Sequence, residues 1–299
     1  MNVRKMTVAF FVLLSGCSVQ KMAVRTTASL MNEASPAFEE ERDVVLAEEA
    51  IPANLKMMEG LLKIDPENPD LLLLLSKGYG GYAFSFLEDK METAYRNKKI
   101  SDTYKLRAQD LYRRARDYAL TYLKSYDAFA QDFDAHFLDF EKSLSVFSKQ
   151  DVPHLFWAGY NWGNLVNLSK DDPEIVADVS KAEALMRRVV ELDETYFYGG
   201  AHLFLGVFYG SRPQLLGGDF KKSKFHFEKA LEISKEKFLL THYMYARFYA
   251  VQTQDEALFS KLLKRILTAE ENIFPEQELA NRIAKIRAER LLKQKGDYF

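Results

Sequence analysis

One cysteine stands among the 299 residues, Cys17, so an internal disulfide is excluded. Glycine (14) and proline (8) are scarce, which argues against an all-β chain that needs tight turns throughout. No apolar run reaches the ~20 residues required to span a bilayer. Charge of one sign is missing too: 43 acidic side chains nearly cancel 41 basic ones, for a formal net charge of −2. Nucleic-acid binding, which needs a basic stripe to displace counterions, is therefore not expected. No two of the five histidines lie four apart, and no carboxylate pair completes a metal spacing, so neither a metal nor another cofactor is expected. A G-x-S-x-G elbow and a P-loop are both lacking. No catalytic residue is assigned, and the chain does not read as an enzyme.

The informative residues come first. Arg4 and Lys5 precede a short apolar run, Met6 to Leu14, interrupted only by Thr7. Leu14-Ser15-Gly16-Cys17 follows. A basic start, an apolar stretch and small residues before a cleavage point form an export signal. The tetrad resembles the lipobox of bacterial lipoproteins, in which the cysteine thiol is acylated and the chain is cut before it. The expected organisation is a signal peptide over 1–16, a lipidated Cys17 with a flexible tether over 17–36, and a folded body over 37–299. This places the protein in the bacterial periplasm on a membrane anchor. Ser18, rather than Asp, after the cysteine leans towards the outer membrane.

From Phe38 onward the apolar spacing is helical. Tyr104, Ala108, Leu111, Ala115, Ala119 and Tyr122 share one face of a long helix, and Leu203, Gly206, Val207 and Gly210 form another stripe. Prolines 52, 66, 69, 153, 173, 213 and 275 mark helix boundaries. Three segments around Leu62–Pro66, Val190–Glu194 and Leu231–Lys235 each end a helix and precede another. In the third, Ser223, Phe227, Ala230 and Leu231 fit the second helix of a tetratricopeptide repeat. Leu72, Leu75 and Tyr79 suit a first helix. The last two copies are spaced more widely than the usual ~34 residues; the loop Arg212–Asp219 takes up the excess, with Asp219 capping the next helix. The expected fold is all-α: degenerate tetratricopeptide-like helical repeats stacked into a compact solenoid.

Aromatic residues are plentiful, with 22 Phe and 16 Tyr, and both tryptophans fall between Leu155 and Asn164. Tyr79, Tyr82, Phe86, Trp157, Tyr160, Trp162, Asn164, His202 and Tyr243 all lie on first-helix segments, which commonly line the concave side of such solenoids. They are candidates for an aromatic cavity, with Arg212 and Arg247 placed to meet an anionic head group. Core packing explains each ring separately just as well. Gly78–Tyr82 looks like a glycine loop but sits inside a helical pattern, where glycine more often permits close helix approach.

Several segments together carry a family resemblance: Tyr82-Ala83-Phe84, Leu111-Tyr112-Arg113-Arg114-Ala115, Asp151-Val152-Pro153 leading to Trp157, Trp162-Gly163, and Lys170-Asp171-Asp172-Pro173. It continues through Ala184-Leu185-Met186, Glu191–Glu194, Ala201–Gly206, Arg212-Pro213 to Asp219, and His226-Phe227-Glu228. From about residue 44 to the end the chain resembles TatT, the T component of tetratricopeptide-protein-associated TRAP (tripartite ATP-independent periplasmic) transporters. The resemblance implies a lipid-anchored periplasmic protein that partners a substrate-binding P component feeding an ion-driven permease. It also implies a homo-oligomer, a trimer with a central cavity, and small apolar or amphiphilic ligands. It supplies no catalytic residues. The competing expectation is an envelope scaffold that uses its repeats only for protein contacts, with a filled interior.

Overall fold

The computed structural model describes residues 3–299, with side chains from Val19 onward and that of Leu216 excepted. The Cys17 side chain lies outside the described residues. The chain is all-α, with no strand among the described residues. Its principal helices are α1 (Val3–Ala34), α2 (Val44–Leu62), α3 (Pro69–Tyr82), α4 (Glu88–Thr93), α5 (Lys98–Leu123) and α6 (Val152–Leu168). They continue with α7 (Val179–Asp193), α8 (Tyr196–Gly210), α9 (Phe220–Ile233), α10 (Leu239–Tyr245), α11 (Glu256–Leu267) and α12 (Glu278–Lys293).

Local chemistry sets these boundaries. Asp43, Asn68, Asn97, Asp219 and Asp255 each accept backbone N–H bonds at the start of a helix. Pro69, Pro153 and Pro173 occupy first-turn positions, where the missing N–H costs nothing. Pro52 differs from the expectation: it lies inside α2 and ends nothing. The loss of one i→i−4 bond there is outweighed by packing of the same helix, with Leu55 and Met58 buried just beyond it.

Helices pair as hairpins: α3 with α5, α6 with α7, α8 with α9, and α10 with α11. The first members, α3, α6, α8 and α10, stand side by side and run the same way. His154 Nε2 lies 3.2 Å from the Pro69 carbonyl, and Asn161 Nδ2 donates to the Ser76 carbonyl at 3.2 Å, so α3 and α6 keep one register along their length. Small residues set the spacing. A Cβ on Gly80 would meet Asn161 Oδ1 at 1.9 Å, and one on Gly163 would meet the Phe204 ring at 2.3 Å. This is the close approach that the glycines of Gly78–Tyr82 were expected to permit.

The solenoid closes on itself. The last helix, α12, reaches the first repeat, where Leu279 and Ile283 bury against Ala47 and Phe86. Arg287 Nη2 donates to the Phe84 carbonyl at 2.5 Å. Arg290 Nη2 bridges Asp89 (2.6 Å) and Glu92 (2.9 Å) on α4.

The expected flexible tether is corrected in part. Residues 19–34 are helical and docked: Val24 and Ala28 are buried, Arg25 Nε bonds Asp65 Oδ2 at 2.9 Å, and Asn32 Nδ2 donates to Asp70 at 3.1 Å. Val24, Ala28 and Met31 recur at helical spacing, a narrow stripe masked by the Thr, Ser and Asn around it.

Two buried interactions test the packing. Phe227 on α9 is fully buried, presses on Gly206 of α8 and stacks on Tyr245 of α10 at 4.7 Å. Phe227→Ala is predicted to cost ~3–5 kcal/mol in urea unfolding; a midpoint like that of the wild type would place the ring at the surface. Glu59 on α2 takes hydrogen bonds from Tyr79 (2.7 Å) of α3 and Tyr118 (2.9 Å) of α5, and pairs with Lys56. Burial pushes its carboxyl up, but the bonds from Lys56, Tyr79 and Tyr118 outweigh this and hold it at about 2. A carboxylate depressed in the fold adds stability above its unfolded pKa and loses it as pH falls towards the folded value. Wild type should therefore lose on the order of 2–3 kcal/mol between pH 4.5 and 2 that Glu59→Gln does not lose. Parallel stability–pH curves for the two would contradict this role.

Candidate functional site

Because first helices face inward, their inner surfaces enclose a cavity of about 360 Å³. It runs along α6 from Phe156 to Asn167 and along α8 from Phe197 to Phe208, on the order of 17 Å at 1.5 Å per residue. Leu74, Gly78 and Tyr82 of α3 close one side, with Phe84, Ser85 and Phe86 of the π-helical turn Ala83–Leu87 that follows. Leu240, Leu279 and Ala280 close the other. The lining is overwhelmingly apolar, and its rings meet edge to face: Trp157 lies 5.2 Å from both Tyr160 and Phe197.

The wall at Phe197 is strained. Phe197 (φ 47°) and Tyr198 (φ 59°) adopt the left-handed conformation, followed by Gly199 at φ 80°. This turn swings Phe197 towards Trp157 and puts Tyr198 4.7 Å from Phe274.

The N-terminal arm roofs the cavity. Met31, Ala34, Ser35 and Phe38 line it, and Glu39, ending the short helix Pro36–Glu39, bonds both Lys77 of α3 and Gln277 before α12. Tyr196 and Tyr198, at the start of α8, feel the Glu39 charge. The acidic group thus sits on the wall between Lys77 of α3 and Gln277.

The end where α6 and α8 finish is cationic. Arg212 lines it just past α8, donates one N–H to the Phe208 carbonyl at 2.8 Å and lies 3.9 Å over the Phe208 ring. Burial pulls its pKa down, against the pull of Glu183. Lys170, just past α6, is exposed and lies outside the lining; partial desolvation and the positive charges of Arg212 and Arg247 lower its pKa too.

Of the eleven side chains singled out from the sequence, Tyr82, Phe86, Trp157, Tyr160, Asn164 and Arg212 line the cavity. Five are placed elsewhere, and helix phase explains most of this. Trp162 is five residues past Trp157, about 140° around the helix; it stacks on Phe133 at 5.9 Å under Arg116. Tyr79 turns outward to Glu59. His202 points away from the inward row Gly200, Leu203, Phe204 and Val207, and lies 2.8 Å from His226 Nδ1 and 3.2 Å from Glu194. Tyr243 is buried in the core of the last repeats. Arg247 faces Glu92 at 3.8 Å. Sequence reasoning did not single out Phe197, Phe204 and Phe208; the four-residue steps from Gly200 to Phe204 to Phe208 are the signal that points to the last two. Among the described residues no group of His, Cys, Asp or Glu side chains is arranged to hold a metal, and no helix is long and apolar enough to cross a membrane.

Comparison with known proteins agrees with this architecture. The chain is 26% identical to an uncharacterized protein of Treponema pallidum (strain Nichols), over 96% of this chain and 94% of that protein. Residues 40–299 match the family model described as TRAP transporter T-component. That match takes in every repeat and the whole of the closing helix, so the chain belongs to the TRAP transporter T-component family, a family of transporter accessory components and not of enzymes.

Proposed function

We propose that the protein is a lipoprotein anchored through Cys17 in the periplasm, at the outer rather than the inner membrane. There it serves a TRAP system by docking the substrate-binding P component and lodging an apolar or amphiphilic organic acid in its central cavity. Family membership supports the transporter role. The cavity is the observation that carries the ligand part. A scaffold used only for protein contacts has no need of an interior of about 360 Å³ walled by aromatic rings, and that volume falls in the ~300–1,000 Å³ range of small-molecule sites. Assembly as a homo-trimer belongs to the same reading and rests on the family resemblance. The anchor rests on Leu14-Ser15-Gly16-Cys17; stable attachment takes more than one acyl chain, as a mature lipoprotein has.

Three measurements test the reading. Cys17→Ser should abolish fatty-acid labelling and release the protein from membranes; labelling that survives contradicts the anchor. The tagged protein should capture the P component of its own TRAP system from envelope extracts, and failure to do so under mild detergent contradicts docking. Trp157 faces the cavity, so medium-chain fatty acids should change tryptophan fluorescence saturably, and the change should vanish in Trp157→Phe. A flat titration with all such acids returns the protein to the scaffold class.

A further inference from the structure

The cavity carries an unpaired positive charge at the end where α6 and α8 finish. Arg212 has no carboxylate within ion-pair distance among the described residues, and Lys170 has neither an ion pair nor a side-chain hydrogen bond there. Asn167 lines the same end with its amide free of side-chain hydrogen bonds among those residues. The negative ends of α6 and α8 offset part of this charge, but Arg212 spends only one of its five N–H donors, on the Phe208 carbonyl. Arg212 is half-buried and Lys170 exposed; their like charges oppose one another, and an anion joining them would relieve this. Arg247 is different, since Glu92 already faces it. Elsewhere in the lining Glu39 is acidic, and it already engages Lys77.

We propose that Arg212, with the Asn167 amide at the same end and Lys170 just outside the lining, binds the carboxylate of a ligand whose acyl chain runs along the inner faces of α6 and α8 towards Trp157 and Phe197, so that the cavity selects a chain with a single acidic head. This rests on the cavity reading above and adds orientation and specificity to it. A guanidinium accepts a carboxylate through paired N–H donors. A dicarboxylate of the same length would set its second charge against rings and Glu39 and gain no free cation.

Calorimetric titration of the full-length chain with decanoate, decanol and decanedioate tests this. Decanoate should bind about tenfold more tightly than decanol and more tightly than decanedioate. Arg212→Met should weaken decanoate by about tenfold while leaving decanol within about twofold; Lys170→Met should weaken decanoate less, by an amount that shrinks with added salt. Decanol serves as the check that each variant keeps its fold. Equal binding of decanoate and decanol by the wild type, or an equal loss of both in Arg212→Met, overturns the head-group site and leaves the cavity reading standing. Decanedioate binding as tightly as decanoate overturns the single-head specificity. If none of the three binds, the cavity reading falls and the head-group site with it.

Discussion

Arg287 joins the end of the chain to its beginning. Its guanidinium is buried, donates to the Phe84 carbonyl at 2.5 Å, lies 4.4 Å over the Phe84 ring, and has Asp89 3.5 Å from Nε. Burial opposes the charge, but Glu92, Tyr243, Glu88 and Asp89 outweigh it and hold the group firmly protonated. A buried charge of this kind tolerates no loss of partners; breaking such a pair typically costs ~3–5 kcal/mol. Through it α12 meets the first repeat, Leu279 and Ile283 find Ala47 and Phe86, and Gln277 reaches Glu39. Without the closure the same helices would form an open groove.

The rest of the interior follows from closing a short stack of helix pairs. First helices are forced inward, and small residues at Gly80, Gly163 and Gly200 let them approach: Asn161 packs on Gly80, Phe204 on Gly163 and Phe156 on Gly200, each from the neighbouring first helix. The wall is then aromatic because glycine backbones leave room that large side chains fill from the next helix. The cost is visible at Phe197 and Tyr198, whose left-handed backbone is disfavoured for such residues. Side chains that complete the lining come from the N-terminal arm, which expands the role of residues 31–39 from connector to roof.

Much of this is legible in the sequence, because helical periodicity and caps are local. Asp219 caps α9 as expected, Leu62, Asp193 and Ile233 end helices, and Phe227 locks two helix pairs. Family and fold class followed from many ordered short matches. The cavity wall was half legible. Lying on a first helix is a matter of sequence segment, but facing inward is a matter of phase, at 100° per residue, and Trp162, Tyr79 and His202 fall on other faces. The π-helical turns at Ala83–Leu87 and Ala246–Ala250 shift that phase again, with no signal in the residues that form them. Ring closure was illegible for another reason. Nothing in Arg287 itself marks a partner two hundred positions earlier, and its burial is set only by the tertiary fold.

A closed ring of helices keeps an apolar space along the inner faces of α6 and α8 that its own side chains do not fill. Apolar cavities bind xenon. A crystal of the protein pressurised with xenon tests the claim most directly. Xenon density is expected within the cavity, bounded by Trp157, Phe197 and Phe204. A crystal with no xenon in the cavity, its space filled by collapsed lining side chains, would contradict it.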